Sequence, residues 1–403
     1  MFRKNMGNGG GSHQHRGFGG RGGYRGGSRG RAGRSQFSDI SKFVNKAVVT
    51  ENEQPYQVKN TFADFDIDSK IKQNVISAGY VEPTPIQDQS ISHILDGKDI
   101  VGIANTGTGK TAAFIIPLIN KVVKDRRQKV LIMAPTRELA IQINQELMKF
   151  AFGLQIYSVG AVGGMPIFRQ MSDLRRVHNF VIGTPGRIKD LVERRCINLA
   201  SFQSVVLDEA DRMLDMGFIN DMRSIIFALP KNRQTLFFSA TLSDDIKKLI
   251  GEFLNEPVSV SVKTRDTAKS IDQDVVYVRG KEKLDILHDL LLQPDFNKVL
   301  IFGRTKHGVE KLSGLLSARG VKSESIHGNK NHSQRQRALK SFKDNMVRVL
   351  VATDVAARGL DIPNVSHVIN YELPATHEDY IHRIGRTGRG GKTGKALTFV
   401  EGR

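Results

Sequence analysis

Ala104-Asn105-Thr106-Gly107-Thr108-Gly109-Lys110-Thr111 follows an apolar run, Asp99-Ile100-Val101-Gly102-Ile103, and precedes a helix-compatible one, Ala112-Ala113-Phe114-Ile115-Ile116. Strand, glycine loop and helix in that order make a phosphate cradle. The glycines let successive N–H groups converge, the helix N-terminus adds partial positive charge, Lys110 reaches the outer phosphates, and the Thr111 hydroxyl suits Mg²⁺. The strict pattern begins with Gly, and here Ala104 stands in its place. A bare glycine turn is the plainer alternative, but Gly-Lys-Thr opening a helix after a strand points to nucleotide binding.

Outward from this loop, the composition sets bounds. A chain of 403 residues has room for two or three cores. The single Cys196 rules out an intramolecular disulfide, and no zinc-like Cys/His spacing occurs, so a reducing cytosolic or nuclear compartment is expected. Ala112 to Ile119 is too short to span a bilayer, and Arg3 and Lys4 are not followed by the apolar segment of a secretory signal. The formal charge of +19 favours a polyanionic partner. Residues 1–38 hold seven Arg, one Lys and no acid, so +8 lies there and +11 in the rest.

Residues 1 to about 37 are Gly and Arg with scattered aromatics such as Phe18 and Tyr24. Too little apolar surface is present to offset ordering entropy, so a disordered arm is expected. Its Arg side chains suit phosphates and its aromatics suit bases, an RGG-like pattern; a solubilising tail is the alternative. Beyond Thr61, β-branched runs alternate with helical patterns. Val130 to Ala134, Phe180 to Gly183, Val205 to Leu207 and Leu236 to Phe238 read as buried parallel strands, with a helix over Glu138 to Phe150. After a polar stretch, Lys263 to Asp272, the alternation resumes with Val275 to Val278, Val299 to Phe302, Val347 to Val351, Val368 to Asn370 and Ala396 to Val400, without a second glycine cradle. Two doubly wound α/β domains are therefore expected, over residues 61–262 and 273–403, with an arm and lead-in over 1–60 and a linker over 263–272.

Asp208-Glu209-Ala210-Asp211 directly follows Val205-Val206-Leu207. A carboxylate at the C-terminal end of a strand, facing a phosphate loop in the same sheet, is placed to hold Mg²⁺, which assigns Asp208 to the metal and Glu209 to the attacking water. An acidic helix start is the plainer alternative, and the upstream Lys110 loop decides for catalysis. Ahead of the loop, Gly79-Tyr80-Val81-Glu82-Pro83-Thr84-Pro85-Ile86-Gln87 places an amide that matches the edge of adenine, and Phe62 is an aromatic that can stack on the base. Alone, Gln87 reads equally as a surface residue and Phe62 as a core one.

With these stretches, Pro135-Thr136-Arg137-Glu138-Leu139-Ala140, Gly163-Gly164, Thr184-Pro185-Gly186-Arg187, Ser239-Ala240-Thr241, Ala352 to Asp361 and His382 to Arg389 occur in the order of the DEAD-box RNA helicases, which the chain resembles from residue 61 to about 400. That family commonly has Ala where Ala104 stands. Leu214 to Phe218, Arg304 to Gly308 and Ile326 to Lys330 look most like its bacterial RhlE branch.

The resemblance implies two tandem RecA-like domains and an RNA-stimulated ATP hydrolase that locally separates short RNA duplexes or remodels RNA–protein complexes. ATP would be held by Phe62, Gln87, Thr106, Gly107, Thr108, Gly109, Lys110, Thr111 and Asp361, with Mg²⁺ on Thr111 and Asp208. Catalysis would rest on Lys110, Asp208, Glu209 and two arginine fingers, Arg386 and Arg389, each flanked by glycine. Asp211, Ser239, Thr241 and His382 would couple the nucleotide to RNA. RNA would lie on Pro135, Thr136, Arg137, Gly163, Gly164, Thr184, Arg187, Thr305, Gly328, Arg335 and Thr353, groups suited to phosphate and 2′-OH, so binding should be sequence-independent and salt-sensitive. A cytoplasmic monomer without membrane contact is expected, with ribosome-assembly or RNA-decay factors as candidate partners.

Two departures stand out. Asn331-His332 replaces the Ser-Gln of the RhlE pattern before Arg335, and no residues remain after the last expected strand for the closing helix of that pattern. Two other readings compete: an ATP-gated RNA clamp without turnover, against which all of Lys110, Thr111, Asp208, Glu209, Arg386 and Arg389 are present, and a DNA helicase, disfavoured by the Gln87 turn and the Asp208 to Asp211 tetrad.

Overall fold

The structure is a computed structural model; it describes residues 56–105, 107–262, 271–278, 282–357, 362, 364–388 and 394–401. The Gly/Arg-rich arm, Thr106, Asp361 and Arg389 lie outside the described residues.

Two parallel sheets carry the chain. The first contains β1 (Ile100–Ile103), β2 (Val130–Met133), β3 (Ser158–Ala161), β4 (Phe180–Gly183), β5 (Ser204–Leu207), β6 (Gln234–Ser239) and β7 (Val258–Ser261), in the order β3-β4-β2-β5-β6-β1-β7. The second contains β8 (Ile271–Val278), β9 (Val299–Gly303), β10 (Ser323–Ile326), β11 (Val349–Thr353), β12 (His367–Asn370) and β13 (Gly394–Glu401), in the order β10-β11-β9-β12-β13-β8. Every neighbouring pair is parallel.

The continuous apolar strands follow from burial on both faces. Val130, Ile132, Phe180, Ile182, Val206, Leu236 and Phe238 join the core on one face of the first sheet, and the alternate residues Leu131, Met133, Val181, Val205, Leu207 and Phe237 join the core on the other. In the second sheet Leu300, Phe302, Leu350 and Ala352 oppose Val299, Ile301, Val349 and Val351 in the same way.

The larger differences from expectation lie at domain boundaries and sheet edges. Residues 56–60 already belong to the first domain, because Asp88 accepts from Tyr56 Oη (2.7 Å), Lys59 N (2.9 Å), Asn60 N (3.1 Å) and Asn60 Nδ2 (2.7 Å). Ile271 and Asp272, expected in the linker, open β8 and pair with Gly394 and Lys395. β11 starts at Val349 rather than Val347, since Val347 N closes the preceding helix on Ser341 O. Finally, β3, β7 and β10, all at sheet edges, were not anticipated.

All strands being parallel, their C-terminal ends lie along one edge of each sheet, where ligand sites of open α/β sheets form. In the first sheet the Lys110 loop follows β1, the Asp208 tetrad follows β5, and Ser239 to Thr241 end β6, three adjacent strands. Gly163-Gly164, Thr184 and Pro135 to Arg137 follow β3, β4 and β2, the other three adjacent strands. Strand order thus separates the two expected functions across the sheet.

Candidate functional site

Gly109 caps the helix Lys110–Lys124 in left-handed backbone (φ 90°), which only glycine adopts without strain. Crowding adds a second demand: a Cβ there would come within 2.4 Å of Gln87 Nε2. Gln87 itself is fully buried. Its Oε1 accepts from Thr84 N (2.9 Å), and its Nε2 donates to Gly109 O (3.0 Å), so the proline turn is tied to the loop. Lys110 Nζ donates to Ala104 O (2.7 Å) and Thr108 Oγ1 to Asn105 O (2.8 Å), folding the loop over its own carbonyls. Gly107, Gly109, Lys110, Thr111, Asp208 and Glu209 share a cavity of about 390 Å³ that also borders Lys343 of the second domain.

Phe62, like Gln87, is buried in this structure: the ring is 2% exposed and packs edge-on against Phe65 and Tyr80 as part of the first-domain core.

Burial dominates the electrostatics beside the loop. It pushes the Asp208 carboxyl up to about 7, against the pull of Lys110 and with the neighbouring Glu209 and Asp211 charges adding to the rise. For Glu209 burial acts in the same direction, but the charges of Arg212, Lys110 and Arg386 outweigh it and hold the carboxyl at about 2. Glu209 is thus an anion among three cations, one of which belongs to the second domain. A single buried carboxylate and a threonine hydroxyl form the hard-oxygen set that Mg²⁺ takes when phosphates supply its other ligands. No cluster of three or more His, Cys, Asp or Glu side chains suited to a metal occurs among the described residues.

Three of the four expected coupling residues are brought together. Asp211 Oδ2 accepts from Ala240 N (2.9 Å), Thr241 N (3.0 Å) and Thr241 Oγ1 (3.2 Å), while Ser239 Oγ donates to Thr241 O (2.8 Å). His382 lies on the helix His377–Ile384, and its carbonyl accepts from Arg386 Nε (3.4 Å).

Of the residues expected to meet RNA, some are in mutual contact and others are placed only by their own elements. The Arg137 guanidinium lies against Gly164 so closely that a Cβ there would meet Nη1 at 1.8 Å, and Gly164 has φ 72°. Arg187 Nη1 donates to Val162 O (3.1 Å) and Met165 O (3.3 Å), so its guanidinium grips both flanks of Gly163-Gly164 rather than pointing away from them. Thr136 and Thr305 cap helices through Leu139 N (3.2 Å) and Gly308 N (3.0 Å). Thr353 ends β11, and Pro135 and Gly328 occupy the turns after β2 and β10. Arg335 reaches across to the first domain, with Nη2 at 3.2 Å from Glu138 Oε1, both largely buried.

Three groups escaped the sequence reading. Arg212 pairs with Glu209 at a helical i,i+3 spacing, which was a usable signal. Glu138, quoted within its motif, was given no partner. Arg383, 1% exposed, forks onto Asp354 (Nε–Oδ1 2.6 Å, Nη2–Oδ2 2.8 Å), donates to Asn370 Oδ1 (3.2 Å) and Glu372 O (2.6 Å), and lies over the Phe302 ring at 5.1 Å. No pattern separates it in sequence from the surface arginines. Arg383→Met should strand Asp354 and Asn370 and destabilise the second domain by about 3 kcal/mol, lowering its melting transition by on the order of 10 °C. Arg383→Lys keeps charge without the fork and should recover only part of this, as differential scanning calorimetry would reveal.

A family model described as DEAD/DEAH box helicase matches residues 84–249, and one described as helicase conserved C-terminal domain matches residues 282–391. The ATP-dependent RNA helicase CshA of Listeria monocytogenes is 47% identical over 344 residues, covering 85% of this chain; the chain spans 66% of that relative's length, just under two thirds. Among solved structures, S. cerevisiae Dbp5 bound to RNA and ADP BeF3 matches with TM-score 0.76 at 29% identity, over 85% of this chain and 90% of that one. Mss116p bound to ssRNA and AMP-PNP matches with TM-score 0.75 at 33% identity, over 83% of this chain and 72% of that one.

Proposed function

This chain belongs to the DEAD-box helicases, and we propose that it is an ATP-dependent RNA helicase that holds RNA by its backbone, separates short duplexes or remodels RNA–protein complexes, and uses hydrolysis for release. The observation that carries this reading is the shared environment of Glu209. That carboxylate follows β5, Lys110 follows β1, and Arg386 follows the helix His377–Ile384 of the second domain, yet the charges of Lys110 and Arg386 both act on Glu209. A reaction centre divided between two domains is complete only when both are together, which makes turnover answerable to whatever brings them together.

The roles follow from chemistry and position. The N–H groups around Gly107 to Lys110 and the Lys110 ammonium bind the phosphates. Gln87, already bonded to Gly109 O, retains one amide N–H and one carbonyl lone pair for adenine. Glu209 orients and deprotonates water, and Arg386, with Arg389, neutralises charge developing on the γ-phosphate. Thr111 and Asp208 are suited to hold Mg²⁺, which would neutralise phosphate charge. Asp211, Ser239 and Thr241 link this centre to the residues after β2, β3 and β4 on the RNA side.

Within the family, a place near the RhlE branch is supported by Leu214 to Phe218, Arg304 to Gly308 and Ile326 to Lys330; the curated relative above carries the name CshA. A cytoplasmic monomer acting with ribosome-assembly or RNA-decay factors is the setting proposed. The lone Cys196 supports the reducing compartment in that setting; among the described residues no helix is long and apolar enough to cross a membrane.

Phosphate release measured without nucleic acid, with RNA and with DNA of the same sequence tests the proposal. Stimulation by RNA alone is expected. Equal stimulation by DNA would make it a DNA helicase, and ATP-dependent RNA retention without release would make it a clamp. For the arm, removal of residues 1–37 should weaken RNA binding and flatten its salt dependence by about 0.7 in log–log slope for each RNA phosphate that the arm had neutralised. Basal hydrolysis should be unchanged. Equal affinity with and without the arm, by fluorescence anisotropy across a salt series, would reduce it to a spacer.

A further inference from the structure

Glu209 is the group that activates water in the proposed function, and any control exerted on it rests on that reading. Directly after β5, Glu209 adopts left-handed backbone (φ 52°, ψ 53°), and one helical turn later Arg212 Nη1 takes its Oε2 in an ion pair whose side chains are 4% and 6% exposed. The other edge of the guanidinium is unmatched: Nε and Nη2 are buried and meet no acceptor among the described residues. Buried donors without acceptors raise the free energy of the arrangement that contains them. The contact is therefore strong at one nitrogen and frustrated at two, which favours a second arrangement of the same side chain.

Chemistry gives that second arrangement a purpose. The Oε2 oxygen committed to the guanidinium has less lone-pair density for the proton of water, so Glu209 held through Oε2 is a weaker and less freely oriented base than the unpaired carboxylate. The two domains already meet in this structure, through Glu138 and Arg335, and still Glu209 is paired with Arg212. A separate step must free it. The route to that step is visible. Arg212 N donates to Asp211 Oδ1 (3.0 Å), while Asp211 Oδ2 is held by Ala240 N, Thr241 N and Thr241 Oγ1. Movement of the Ser239–Thr241 segment thus bears on the helix start that carries Arg212.

We propose that Arg212 is a positioning residue that locks Glu209 in an unproductive ion pair, and that RNA opens the pair through Thr241 and Asp211. Hydrolysis with and without RNA tests this in Arg212→Met, Arg212→Lys and the double variant Arg212→Met/Glu209→Gln. Arg212→Met should raise the RNA-free kcat about tenfold, the equivalent of about 1.4 kcal/mol. Its KM for ATP and its RNA-saturated kcat should stay put, so stimulation shrinks tenfold. Arg212→Lys, which keeps a cation within reach, should stay near the parent, and in the Glu209→Gln background Arg212→Met should change nothing.

An unchanged RNA-free rate, or an equal fall with and without RNA, overturns the lock while leaving the helicase reading intact. Should Arg212→Met lose its melting transition, Arg212→Gln carries the same test. Near-normal turnover in Glu209→Gln alone would instead overturn the helicase reading and the lock with it.

Discussion

Glu209→Gln is expected to bind ATP and RNA as the parent does and to lose hydrolysis by roughly 10²–10⁴-fold, the usual contribution of a general base. The amide is isosteric, its carbonyl oxygen can take the place of Glu209 Oε2 before Arg212 Nη1, and the hydrogen bonds of the cradle made by Gly109, Lys110 and Gln87 do not involve position 209. Loss of the negative charge removes the only feature of the side chain that can take a proton from water. Binding titrations beside single-turnover hydrolysis separate the two effects. If chemistry survives near its normal rate, water is activated elsewhere and the assignment of Glu209 fails.

Most strands legible in sequence are buried on both faces, with the half-exposed edge strand β8, legible only over Val275 to Val278, as the exception. Val130 to Met133 and Phe180 to Gly183 are uninterrupted apolar runs because helices cover the sheet above and below. The strands that were not legible are edge strands. Ser158-Val159-Gly160-Ala161, Val258-Ser259-Val260-Ser261 and Ser323-Glu324-Ser325-Ile326 mix polar residues and glycine with few apolar positions, since an edge strand leaves part of its surface to water. Hydrophobic periodicity over four residues cannot separate such a strand from a loop.

The site divides on a different line. Backbone-shaped features were readable because they need particular residues: glycine at 109 and 164, proline at 85, a carboxylate at a strand end. Partnerships between distant side chains were not. Nothing local marks Glu138 as the partner of Arg335, nearly two hundred positions on, or Asp354 as the partner of Arg383. Phe62 shows how two readings of one aromatic stay open in sequence: it suits a base platform or a core position, and the structure packs it against Phe65 and Tyr80.

The division of the centre between two domains yields the other large expected effect. Arg386 is 3% exposed on the second domain, with its Nε on the carbonyl of His382, and its charge helps to hold Glu209 of the first domain as an anion. A finger so placed stabilises the transferring phosphoryl group only when the domains are together. Arg386→Gln should therefore lower RNA-stimulated turnover by roughly 10³–10⁵-fold, while the affinity of the first domain for ATP, set by the Lys110 cradle, moves little. Arg386→Lys should recover a small part, since an ammonium lacks the planar fork that spans phosphate oxygens. Because Arg386 is buried, melting curves must accompany the rates; Arg383, three residues earlier, is the structural member of the pair, and its loss should reach stability first and turnover second. Should Arg386→Gln fold normally and hydrolyse ATP at the parental RNA-stimulated rate, the second domain contributes no charge to the reaction, and turnover has to be explained from the first domain alone.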